Sequence, residues 1–166
     1  TARKKRLLDR VGEAKSGIRK CSAEARGLAT RYQKMIDGRA LIARSIDLLV
    51  LKPAKEKSED ASARLLKIEA HFKAKAKDLQ GAALSLEGLK NSEKKTQSKG
   101  GTAETWEKTL LDLKRELSSV NATVKSGESS NKSYGGFILS LIPEYVRAGV
   151  KFSEKEKTLI KKLSSL

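Results

Sequence analysis

At 166 residues the chain is long enough to bury a core of its own. Its 36 Lys and Arg against 20 Asp and Glu set a formal charge of +16, which attracts polyanions such as acidic proteins, anionic lipid or nucleic acid. One cysteine excludes an intrachain disulfide. A single histidine beside it excludes a clustered Cys/His zinc site. No stretch approaches the roughly 20 apolar residues of a membrane span.

The first element is a long helix, expected from about Lys4 to Leu51. Its apolar residues recur at alternating third and fourth positions: Leu7, Val11, Ala14, Ile18, Cys21, Ala25, Leu28, Tyr32, Met35, Ile42, Ile46 and Leu49, with Arg39 alone breaking the series. A spacing of 3.5 residues sustained this far marks a helix lying in a coiled-coil seam. Cys21 falls on that seam and reads as a small packing residue. Gly12, Gly17, Gly27 and Gly38 each weaken the helix, and a bend near Gly38 is compatible with the pattern. Pro53 is expected to end it, because proline lacks the donor N–H and disfavours a helical Lys52.

A second helix is expected from Pro53 or Ser58 to Lys95, with Ala61, Leu65, Ile68, Phe72, Leu79, Ala82, Leu86 and Leu89 on its seam and Lys75 interrupting. The short connection predicts an antiparallel hairpin, with facing residue numbers adding to about 109 or 110. That register sets Arg39 opposite His71 and Lys75 opposite Met35. Arg39, His71 and Lys75 then form a polar break in the seam at one level. It also sets Cys21 about 25 Å along the helix from His71, which removes a Cys/His nucleophilic pair.

The run 91–101 has no apolar residue and is expected to be a loop. Thr102 is a helix cap, and a third helix is expected to carry Trp106, Leu110, Leu113, Leu117, Val120 and Val124 before stopping at Gly127. Gly127 to Gly136, polar and rich in Gly and Ser, is expected to be a second loop. The apolar run Phe137–Ile142 reads as core, or as an insertion into lipid. Pro143 marks a kink or a helix start. Ser153 and Glu156 match a capping box. The C-terminal part is thus one kinked helix, or two pieces joined near Gly149.

These elements predict an all-α protein: one elongated antiparallel helical-bundle domain over residues 1–166. In it a long coiled-coil hairpin packs with shorter third and fourth helices. The chain opens on Thr1 and is read as excerpted or processed from something longer. The pattern holds no catalytic constellation, no metal loop and no phosphate loop, and implies neither enzyme activity nor a cofactor.

Charge is uneven. Residues 1–53 hold 14 basic against 5 acidic residues, over half of the excess. On the heptad wheel Lys5, Arg6, Arg19, Lys20, Arg26 and Lys34 share the outward b and c positions, with Arg3, Lys4 and Arg10 at the start of the stripe. These nine residues are the candidate strip for a polyanion or partner. The expectation is an interaction module that binds a protein partner with an acidic surface through the basic hairpin. The alternative is peripheral binding to an anionic membrane, or a nonspecific grip on a nucleic-acid backbone. Nucleic acid ranks lowest because Trp106, Phe72, Tyr32 and Tyr145 all fall on seams, which leaves no stacking platform for bases. Heptads this regular also suit a homodimer.

Overall fold

The computed structural model describes residues 1–56, 79–92 and 102–166. The protein is an all-α helical bundle, and no strand occurs among the described residues. Helix α1 is Ala2–Ser45. A π-helical stretch, Ile46–Leu51, leads into α2, Lys52–Glu56. Residues 79–90 form α3, Ala103–Arg147 form α4, and Glu154–Ser164 form α5. The chain divides into two compact units. The first holds Thr1–Tyr32 and Asp78–Val124, and the second holds Gln33–Lys77 and Lys125–Leu166. Helices α1 and α4 contribute a stretch to each.

In the first unit the expected seam of α1 is the buried face. Ala14, Ile18, Cys21, Ala25 and Leu28 are all at most 6% exposed. Ala14 and Ile18 pack with Trp106 of α4. Ala25 and Leu28 pack with Ala82, Leu86 and Leu89 of α3 and with Val120 and Val124 of α4. Each large side chain so buried contributes about 1.5–3 kcal/mol. Two polar contacts fix the direction of α3. Ser22 Oγ donates to the Lys90 carbonyl at 3.1 Å, and Tyr32 Oη donates to the Leu79 carbonyl at 3.0 Å. The partner number falls as the α1 number rises, so α1 and α3 are antiparallel, in nearly the register that the sequence predicts. Helix α4 runs the other way, parallel to α1: Arg10 meets Glu107, and Arg31 Nη1 donates to Asn121 Oδ1 at 3.1 Å. The remaining predicted seam of the second helix, from Ala61 to Lys75, lies outside the described residues.

In the second unit the core gathers Ile42, Leu49, Val50, Ile138, Leu141, Tyr145, Val150, Leu159 and Leu163. Phe137, Leu139 and Ile142 pack against it, so the apolar run Phe137–Ile142 is core. Tyr145 Oη donates to the Val50 carbonyl at 3.3 Å within that core.

Three expectations from the sequence are corrected here. Pro53 does not end the helical path, which continues to Glu56. In the π-helical stretch the Lys52 N–H donates to the Asp47 carbonyl, five residues back. This widened turn accommodates a residue that has no N–H to give. Pro53 and Ala54 are buried there with Leu49 and Val50, which offsets the irregular ladder.

The third helix does not stop at Gly127, and 127–136 is not a loop. Helix α4 is 45 residues long, one more than the 44 of α1, so it is not a short companion. Gly127 lies at the crossing with α1, where an added Cβ would stand 2.7 Å from Met35 Sδ. Asn131, one turn on, is 4% exposed and donates Nδ2–H to the Met35 carbonyl at 2.9 Å. Small and polar residues here let α1 approach; they do not break the helix.

Pro143 is not a helix start. It lies inside α4 and is exposed. The break comes at Gly149, with φ 89°. Gly149 N–H donates to the Val146 carbonyl and Val150 N–H to the Tyr145 carbonyl, the paired bonds of a Schellman termination. Helix α5 then starts on the expected box: Ser153 Oγ accepts from the Glu156 N–H at 3.2 Å. The buried Glu156 carboxylate accepts from Lys52 Nζ at 3.3 Å.

Gly12 and Gly27 face open space within α1. Gly12→Ala and Gly27→Ala are therefore expected to stabilise the protein by about 0.5–1 kcal/mol each. A Cβ at Gly38 would meet Asn131 Nδ2 at 2.7 Å, so Gly38→Ala is expected to lose that gain by displacing a buried hydrogen bond. Denaturant melts of the three variants check the ordering.

Candidate interaction surface

Turning the apolar seam of α1 inward leaves its charged residues on the outside. Arg3, Lys4, Lys5, Arg6, Arg10, Arg19, Lys20, Arg26 and Lys34 are all exposed. Eight of them lie on the first unit's stretch of α1, and Lys34 lies on the second's. The long aliphatic stems keep the charges in water while the helix beneath stays packed.

Arg10 of this series is tied down by a two-pronged contact. Arg10 Nε donates to Glu107 Oε1 at 2.7 Å and Arg10 Nη2 donates to Glu107 Oε2 at 3.0 Å. This two-pronged pair joins the starts of α1 and α4. The hydrogen bonds from Arg10, aided by its charge, hold the Glu107 carboxyl below the usual carboxylate range, and the same contact raises Arg10. A carboxylate with a depressed pKa stabilises the fold above its unfolded pKa, and that contribution disappears as pH falls through the folded value. Comparing Glu107→Gln with the parent protein should therefore show a difference in melting temperature at pH 7 that shrinks to nothing in strong acid. A difference that grows on acidification would contradict the assignment.

The seam break is only partly in view. Arg39 is half-buried on α1. His71 and Lys75 lie outside the described residues, so the proposed polar level of Arg39, His71 and Lys75 rests on the sequence.

Shallow grooves lined by described residues border the basic side chains. In the first unit, a groove of about 640 Å³ opens where α1 and α4 begin, with Arg3, Lys4 and Arg6 around Leu7 and Leu8. Leu7 is 42% and Leu8 65% exposed, so the seam starts burying side chains only beyond them. Leu7 therefore departs from its expected place in the core. In the second unit, a groove of about 620 Å³ lies between α1 and α5, with Lys34, Lys161 and Lys162 near Leu41 and Leu166.

Sequence reasoning passed over Leu8 and the α4 side of the first groove. Leu8 sits off the 3.5 pattern, beside Leu7 and two residues after a basic run, and that misfit was the available signal.

Two aromatic side chains point inward. Trp106 and Tyr145 are 4% and 3% exposed, and Lys15 Nζ stands 5.0 Å over the Trp106 ring. Cys21 is buried, and desolvation, followed by the nearby Glu24 charge, pushes its thiol pKa up, away from the reactive thiolate. Among the described residues no group of three His, Cys, Asp or Glu is placed to hold a metal ion, and no helix is long and apolar enough to cross a membrane. No protein-family model matches the chain, and neither a curated protein nor a solved structure matches it.

Proposed function

We propose that the chain is a non-enzymatic interaction module that binds an acidic surface of a protein partner through the basic outer face of α1. The observation that carries this reading is the division of labour on one helix. The 3.5-residue series holds the core, and every residue of the basic strip faces solvent. A face of like charges is a steering surface for an acidic partner and repels basic ones.

Two observations favour a protein over the other polyanions. The buried Trp106 and Tyr145 are not available for stacking on bases. The apolar run Phe137–Ile142, which could have entered lipid, is spent on the second unit's core.

Binding to fluorescently labelled polyglutamate, to phosphatidylserine vesicles and to duplex DNA, each at low and physiological salt, tests the reading. The triple variant Arg19→Glu, Lys20→Glu, Arg26→Glu should bind polyglutamate at least about tenfold more weakly, a loss of about 1.4 kcal/mol spread over three surface charges. Its circular dichroism should be unchanged. Vesicle or DNA binding that persists at physiological salt, with polyglutamate binding absent, would overturn it.

A further inference from the structure

We propose that the groove at the start of α1 and α4 seats an amphipathic acidic helix of the partner protein. The proposal rests on the protein-partner reading above and deepens it, giving the partner's chemistry and the place where it docks.

The groove is mixed in character. Its apolar lining is Leu7, Leu8 and Val11 from α1 and Ala103 from α4, and its cations are Arg3, Lys4, Arg6 and Arg10. Glu104 is the one acid on its wall among the described residues, and Arg10 is occupied with Glu107. The residual charge is strongly positive, which selects an acidic ligand.

The leucines select further. An unstructured acidic chain would satisfy the cations and leave Leu7 and Leu8 in water. A nucleic-acid backbone would set phosphates against them. A helix with carboxylates flanking an apolar stripe satisfies both kinds of group at once, as helix-in-groove recognition does elsewhere. The space suits it. The groove offers about 640 Å³ of open space, room for side chains from one face of a helix. Val11 forms part of the floor and also packs on the Trp106 cluster, so an inserted side chain would extend the core of the first unit.

The test uses two synthetic peptides of identical Glu/Leu composition. One has Leu at 3.5-residue spacing, and the other has the same residues scrambled. Fluorescence anisotropy at physiological salt reads binding to the full chain. The amphipathic peptide should bind at least tenfold tighter than the scrambled one. Leu8→Gln should erase that preference, and Leu8→Met should keep it. Leu8 is largely exposed, so neither change should disturb the fold, which circular dichroism verifies. Arg3→Glu with Arg6→Glu should weaken both peptides.

Equal binding of the two peptides would overturn the groove proposal while the acidic-partner reading stands. So would a preference that survives Leu8→Gln but falls on reversal of Arg19, Lys20 and Arg26. Failure of both peptides, with Leu8-dependent binding to phosphatidylserine vesicles, would overturn the groove proposal and the protein-partner reading together.

Discussion

Leu28→Ala and Ile42→Ala are each expected to destabilise the protein by about 2–5 kcal/mol. Leu28 is 6% exposed and packs between α3 and α4 in the first unit. Ile42 is fully buried in the second. Truncation removes three side-chain carbons from close contact and leaves a void that neighbouring helices fill only partly. Urea unfolding followed by circular dichroism reads the loss. Trp106, the single tryptophan, lies in the first unit's core and gives a second, local probe. Losses below about 0.5 kcal/mol at both sites would mean that the seam is not a packed core, and the architecture would fall.

Gly127→Leu is the second large effect. An added Cβ alone would stand 2.7 Å from Met35 Sδ and 2.9 Å from Met35 Cγ. The rest of a leucine side chain has to displace the methionine or separate the helices. Such overpacking costs about 1–3 kcal/mol, even after the better helix propensity of leucine is credited. Gly136, on the same helix, has nothing within 4 Å of an added Cβ. Gly136→Ala should instead stabilise by about 1 kcal/mol. Trimming the obstacle with Met35→Ala should recover part of the Gly127→Leu loss, and a double-mutant cycle measures that coupling. If Gly127 ended a helix, as its sequence context suggests, Met35→Ala would show no coupling to it.

The contrast between these residues shows why the sequence was legible in some places only. The α1 seam was readable because large apolar residues meet each other there, and their spacing is the packing. The antiparallel pairing of α1 with α3 was readable because each helix carries one apolar seam that has to meet another; Ser22 on Lys90 and Tyr32 on Leu79 lie close to the expected register. Gly149 and Ser153 were readable because local backbone chemistry decides them.

The stretch 127–136 was misread because glycine and asparagine carry two meanings. Gly127 and Asn131 continue the spacing of Val120 and Val124 toward Ile138 and Tyr145, yet by composition they signal a loop. What decides is the approach of Met35, a residue about ninety positions away. Pro53 was misread for a similar reason. Its burial with Leu49 and Val50 is a tertiary gain that local rules do not contain. The basic strip was legible as an exposed face, because charge on a heptad exterior stays outside. The groove beside it needed the starts of α1 and α4 to be brought together, and no spacing within either helix encodes that.

If the outer face of α1 is the working surface proposed above, an acidic ligand perturbs that face first. Amide chemical-shift mapping by NMR during titration with polyglutamate tests it most directly. Shifts should concentrate at the basic positions from Arg3 to Arg26 on α1, with the buried Val124 and Ile138 unmoved. Shifts centred instead on Lys161 and Lys162 of α5, or spread evenly over every lysine of the chain, would contradict it.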